Sequence, residues 1–319
     1  MPAELALYSD RLFFAAVVVY VLAMVLHGGE YSRRRSTRAA ALVGAGAAAE
    51  VGPTPDEGPP AGDGGAAPGP RRDPAERLGR MAVALTVLGA GLHLASIVLR
   101  GVAAQRWPLG NMYEYTSMIC LAAVVAWLVL LRRSPASRPV GLFVLLPVLI
   151  LQFLAGTVLY VPAGPVVPAL QSYWLSIHVT TIAASSGLLL VPGVASVLYL
   201  VRRTGRSNAV LDRLPSASAL DRLAYRTTIV AFPLYTFAII VGAIWAEAAW
   251  GRFWGWDPKE TVAFVAWVVY AAYLHARATA GWRTGAAAWI NILAVAVMIF
   301  NLFFINMVVA GLHSYAGLG

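Results

Sequence analysis

The sequence predicts an all-α fold: a polytopic integral membrane protein with about eight transmembrane helices and both termini on the outer, extracytoplasmic side. Hydrophobic residues make up 59% of the 319-residue chain and charged residues 12%, far from the mix of a soluble domain. Apolar runs recur that are long enough, at roughly 18 residues or more, to cross a hydrocarbon core of about 30 Å. The basic residues alternate: 19 of the 24 fall in the loops after the first, third, fifth and seventh runs, and the other five are Arg11, Arg100, Arg106, Arg252 and Lys259. The positive-inside rule makes the arginine-rich loops cytoplasmic. The net charge of +9 does not point to nucleic acid, because the basic residues lie in short loops and form no basic face on a folded domain.

The spans fall at about residues 11–28, 82–100, 115–132, 139–160, 176–201, 227–248, 258–277 and 285–309. The first has no basic flank before it and no small-residue cleavage site after it, so it reads as a retained span. Between Ala39 and Pro70 the chain is dominated by Ala, Gly and Pro without apolar periodicity, which predicts a disordered cytoplasmic linker. The organisation is therefore a first span over 1–30, a linker over 31–81 and a seven-span unit over 82–319. Cys120, the only cysteine, lies in the third run; it excludes an intrachain disulfide or CxxC pair and reads as a small hydrophobe. Pro192 and Pro233 fall inside the fifth and sixth runs, where proline kinks helices. Leu211, Leu214, Leu220 and Leu223, between Asn208 and Arg226, are near helical spacing and suggest a short interfacial helix. No internal repeat stands out.

The loop before the seventh span is the most informative segment: Trp250-Gly251-Arg252-Phe253-Trp254-Gly255-Trp256-Asp257-Pro258-Lys259-Glu260. Part of it is explained by structure alone. Tryptophan favours the bilayer boundary, and Asp257-Pro258-Lys259-Glu260 has the form of a capping box with proline at the first helical position. The carboxylates of Asp257 and Glu260 are therefore open to a purely structural reading. A belt needs only one or two aromatics at a helix end, however. Four aromatics in seven residues, interleaved with glycine, suit a large planar apolar ligand.

Topology sorts the five histidines. His178 begins the fifth span and His313 follows the eighth, both on the outer face with the aromatic loop. Two imidazoles beside a tryptophan-rich floor would make a six-coordinate haem site with both nitrogens axial. His275 lies 17 residues beyond Pro258, roughly 25 Å along a helix, and so sits near the inner side, where it cannot share that metal. If His275 binds a second haem, His93 and His27 are the candidates for its mate within this chain; neither has an aromatic or charged constellation around it in sequence, which favours a structural reading of both. Glu114 and Glu247, at outer span ends, need partners such as an arginine or an indole N–H. Arg106, Arg252 and Lys259 are the outer-loop cations able to meet carboxylates such as haem propionates.

The Trp250 to Glu260 segment fills every fixed position of the WGxxWxWDxxE signature, and the chain in this respect resembles the haem-handling WWD membrane proteins. The histidines before and after the signature, His275 in the following span, and Pro108-Leu109-Gly110-Asn111-Met112-Tyr113-Glu114 are similar to the CcsA/ResC branch of system II cytochrome c biogenesis. The likeness covers about residues 82 to 319.

This resemblance implies a subunit of a holocytochrome c synthase complex in the bacterial cytoplasmic membrane, surrounded by lipid and active on the extracytoplasmic side. Such a subunit binds haem b, carries or presents it at the outer face and, with a CcsB/ResB-type partner, attaches it to the CxxCH motif of apocytochrome c. The implied haem-contacting positions are Trp250, Gly251, Trp254, Trp256, Asp257 and Glu260. His178 and His313 would be the outer axial ligands, and His275 an inner ligand whose mate the partner supplies. No side chain stands out as a thiol base, so positioning is the expected contribution and no acid–base residue is assigned. The alternatives are a CcmC- or CcmF-like haem chaperone, a haem exporter without attachment activity, and a scaffold anchored by its tryptophans.

Overall fold

A computed structural model describes residues 2–50, 74–205, 213–279, 282 and 285–313. Eight helices are long and apolar enough to cross a membrane: α1 (Pro2–Glu50), α2 (Pro74–Ala104), α3 (Met112–Arg133), α4 (Val140–Thr157), α5 (Tyr173–Arg203), α6 (Ala217–Trp250), α7 (Pro258–Ala278) and α8 (Gly285–Phe300). A π-helical turn, Asn301–Ile305, extends α8. Each expected span falls on one of these helices. No strand occurs among the described residues.

Two boundaries differ from the sequence reading. Helix α1 continues to Glu50, and the rest of the Ala/Gly/Pro stretch, from residue 51, lies outside the described residues. No separate interfacial helix forms from the described leucines after α5. Ser216 caps α6 by accepting the Ala219 amide, so Leu220 and Leu223 belong to α6 itself; Leu220 and Leu214 are buried against Trp127 and Val191, and Leu211 is outside the described residues. Packing won over the amphipathic pattern here, because a helix already passing through the bundle gains more by starting early than by ending at the interface.

Helix α5 is the hub and packs on α3, α4, α6 and α8, while α1 and α2 pair along their length. Close approach between helices depends on glycine at two points: at Gly187 a Cβ would meet the Ile119 carbonyl oxygen at 2.5 Å, and at Gly89 it would meet the Tyr20 ring at 2.7 Å. Pro192 and Pro233 both lie inside continuous helices. Asn291 of α8 donates to the Pro192 carbonyl at 3.2 Å and to Ser196 Oγ at 2.8 Å, a buried polar clasp between α8 and α5. Cys120 is buried, as expected.

The two ends of the bundle are held differently. At the arginine-rich end, Glu30 takes Arg138 at 2.7 Å and Asp221 takes Arg277 through two bonds of 2.9 Å. At the other end, Glu114 is the buried centre of a network: Arg100 Nε donates to it at 2.8 Å, Arg106 at 2.7 and 3.0 Å, and the Gly110 amide at 2.7 Å. Arg100 also reaches the Val161 carbonyl and lies 3.6 Å from Asp10. A buried carboxylate is tolerated only with such compensation, so the expected partner for Glu114 is present twice. Glu247 is instead exposed, with no ion pair among the described residues.

Candidate functional site

Local rules build the loop between α6 and α7. Helix α6 stops because Gly251 takes the left-handed conformation, at φ +70°, and donates its N–H back to the Glu247 carbonyl. Helix α7 starts with the capping box: Asp257 accepts the Lys259 amide at 3.2 Å, and Glu260 accepts the Asp257 amide at 3.1 Å. The same Glu260 oxygen takes the Gly255 amide at 3.0 Å and faces Arg252 at 3.7 Å. Glu260 thus fixes the loop as well as the cap, and a side chain on Gly255 would occupy the space of the Arg252 guanidinium. Trp256 is held at φ +57°, where bulky residues are rarely found.

Asp257 does more than cap. Its Oδ1 accepts the Leu312 amide at 2.7 Å, and its Oδ2 accepts the Nδ1–H of His313 at 2.9 Å. A Cβ at residue 311 would come within 2.7 Å of Oδ1, so glycine there leaves room for the carboxylate. Burial by itself would raise the Asp257 pKa; the hydrogen bonds from His313, Leu312 and Lys259, together with the charge on His313, bring it down to about 2. Asp257 therefore remains an anion and a strong acceptor at any pH near neutrality.

His178 is held in a parallel way. Its Nδ1 donates to the Ala238 carbonyl at 2.8 Å, which sets the tautomer because a carbonyl can only accept. Gly242 faces it on α6, and a Cβ there would lie 2.6 Å from the imidazole Cε1. The ring stacks on Trp245 at 5.9 Å with 11° between planes. His313 packs against the same indole at 5.5 Å and against Trp250 at 4.9 Å, edge-on in both cases. The two imidazoles therefore share Trp245, each with Nδ1 tied to an acceptor and Nε2 without a protein partner among the described residues. That is how a protein orients histidines for iron.

Both histidines line a mainly apolar cleft of about 1390 Å³, part of it open to solvent, whose walls include Met112, Tyr115, Tyr235, Phe253, Trp254 and Met298. Among the described residues no three His, Cys, Asp or Glu side chains come together as a metal site. Two imidazoles, each with Nε2 free of protein partners among the described residues, stand at this aromatic-walled cleft.

The other predicted positions have distinct places. Trp254 and Glu260 line the cleft. Trp250 touches it through His313, and Gly251 is the helix cap described above. Trp256 is 65% exposed and packs edge-on against Trp254 and Phe264. His275 is exposed near the far end of α7, away from the cleft, with no side-chain partner among the described residues. His93 is fully buried, bonded to Ser117 Oγ at 2.7 Å and Gln152 at 3.1 Å, as a structural histidine should be. His27 is buried edge-on to Trp127.

Sequence reasoning missed Trp245, which lies five residues before the loop and reads as one more apolar residue of a span. It also missed Asn301 and Asn306, which line the cleft from the π-helical turn. Asn306 donates to the carbonyls of Asn301 and Leu302, at 3.3 and 2.6 Å, where the wider turn disturbs the helical ladder.

Residues 109–313 match the family described as Cytochrome C assembly protein. The chain is 35% identical over 265 residues to the cytochrome c biogenesis protein CcsA of Parasynechococcus marenigrum, covering 73% of this chain and 86% of that one. It is 34% identical to CcsA of Prochlorococcus marinus (strain MIT 9303), covering 73% and 83%. With CcsA of Heterosigma akashiwo the identity is 32%, covering 69% and 82%. Among solved structures, the cytochrome c haem lyase CcmF is similar in fold, with a TM-score of 0.59 at 17% identity, covering 94% of this chain and 47% of that one.

Proposed function

The chain belongs to the CcsA family of cytochrome c assembly proteins and acts in cytochrome c biogenesis; from that premise we propose that it holds haem b between His178 and His313 and presents it for covalent attachment. The observation that supports this most is the shared packing of both imidazoles on Trp245, with Nδ1 of each bound to a fixed acceptor. When bound, haem would supply the reacting vinyl groups; addition of one CxxCH thiol S–H across each would give one C–S and one C–H bond.

The protein's own part is placement. Ala238 and Asp257 aim the two imidazole lone pairs, and Trp245, Trp254 and Phe253 supply flat apolar walls that exclude water. Placement of this kind would act by raising effective concentration, with no residue assigned as a general base. The apocytochrome substrate would meet this end of the bundle, which the positive-inside reading makes the extracytoplasmic side of the bacterial cytoplasmic membrane. His275, exposed on α7, is suited to share a second haem with a histidine on a CcsB/ResB-type membrane partner. His93 is less suited as an interior mate, since its ring is hydrogen-bonded to Ser117 and Gln152.

The test is cytochrome c maturation with His178→Ala and His313→Ala. Each should abolish most of it, with partial recovery in added imidazole, which fills the hole left by the lost ring. Full maturation in both variants would overturn the ligand assignment.

A further inference from the structure

Lys259 is the only Lys or Arg among the described residues that line the cleft. The other two outer-loop cations do not line it, and Arg106 is fully engaged. Arg106 gives both terminal nitrogens to Glu114, at 2.7 and 3.0 Å, and its Nε to the Gly164 carbonyl at 2.8 Å. Arg252 faces Glu260 at 3.7 Å and lies 6.0 Å from the centre of the Trp250 ring; its Nη1 has no hydrogen-bond partner among the described residues, but its side chain does not line the cleft.

The backbone of Lys259 is fully engaged, its N–H on Asp257 and its carbonyl accepting from Asn301 Nδ2 at 3.2 Å. Its ammonium forms no hydrogen bond or ion pair with any described residue. It is near enough to His178 and to Asp257 for the charges to interact. Of the neighbouring carboxylates, Asp257 is engaged with His313 and two amides, and Glu260 uses Oε2 for two amides and Arg252 while its Oε1 has no hydrogen-bond partner among the described residues; neither pairs with the ammonium. A half-buried cation in an apolar cleft with no ion-pair partner in contact is unfavourable, and Asp257 offsets this only at a distance, so a ligand carboxylate in direct contact would complete it.

We propose that the Lys259 ammonium binds a propionate carboxylate of the haem, making it the cleft's recognition point for the acidic edge of the macrocycle. This rests on the haem reading above. An ammonium on a flexible stem offers three donors and no fixed fork, so it can follow one carboxylate while the imidazoles fix the iron. With that edge drawn toward the start of α7, the ring's orientation in its own plane is set and no longer left to apolar contact alone. The vinyl edge, opposite the propionates on the porphyrin, then faces away from Lys259.

The experiment is an absorbance titration of the purified full chain with ferric haem b and, separately, with its dimethyl ester, in which both carboxylates are masked. Wild type should bind the free acid about tenfold or more tightly than the ester, the size of one hydrogen bond to a charged group. Lys259→Met should remove that preference by lowering affinity for the free acid while leaving ester binding unchanged, which also shows that the variant folds. Lys259→Arg should keep the preference. Equal binding of acid and ester by wild type, or an equal loss of both in Lys259→Met, would overturn the proposal. A wild-type chain that ligates neither compound would instead remove the haem site on which it rests.

Discussion

Asp257 and His313, 56 residues apart, form a carboxylate–imidazole pair at 2.9 Å in which the same carboxylate also starts helix α7. The helix cap and the orientation of an iron ligand are thus one side chain. A shift of α7 moves the imidazole, and the Leu312 amide, on the other oxygen, holds the chain just before it.

Asp257→Asn separates the two roles. Asparagine caps about as well as aspartate, but its amide has one acceptor where the carboxylate has two, so either Leu312 N–H or His313 Nδ1–H faces an NH2 group. The variant should accumulate normally and lose roughly 10–100-fold in haem affinity, the usual effect of removing an outer-shell partner of a ligating histidine. Titration of the purified variant measures it; wild-type affinity would reduce Asp257 to a cap.

Gly242→Ala should displace the His178 ring, because the new methyl would sit 2.6 Å from Cε1. Haem binding falls while the helical circular dichroism signal stays. Gly91→Ala is the matched control, since a Cβ there has nothing within 4 Å. If both alanines behave alike, clearance around His178 is not limiting.

The tryptophans should rank by contact with the imidazoles. Trp245 is 2% exposed and touches both rings, so Trp245→Ala should have the largest effect, including a stability loss of about 3–5 kcal/mol for a buried aromatic. Trp250→Ala and Trp254→Ala should weaken haem retention, and phenylalanine at either position should restore part of it as flat apolar area. Trp256→Ala, at an exposed position, should change retention least. Pyridine haemochrome content of the purified variants gives the order.

His275→Ala should lower the haem that co-purifies from cells while the isolated protein still takes up added haem at the cleft. His93→Ala acts differently: it strands Ser117 and Gln152 inside the bundle, at about 1–3 kcal/mol of stability, without altering the ligation spectrum. A His93→Ala phenotype identical to that of His275→Ala would put the inner ligand pair within this one chain.

Much of this was legible in the sequence because it is local. Span length, the Gly251 stop, the Asp257 cap and the grouping of His178 and His313 at one end all follow from residue spacing and charge alternation. The site's second layer was not legible, since it is made across the fold: Ala238 under His178 is 60 residues away, and Leu312 and His313 reach Asp257 from the end of the chain. Trp245 looks like any apolar residue until α6 packs on α5. Glu247 shows the converse, a span-end carboxylate for which depth alone suggested a partner and which is simply exposed. Nothing in the apolar run of the eighth span announces the π-helical turn that places Asn301 and Asn306 in the cleft.

The central claim is that one haem is ligated by His178 and His313, and the absorption spectrum of the purified chain in its ferrous state tests it most directly. The account predicts a low-spin, six-coordinate spectrum in the wild type. Either His→Ala change should convert it to a five-coordinate form, and added imidazole should return it to six-coordinate. A six-coordinate spectrum that persists in the His178→Ala, His313→Ala double variant would contradict it.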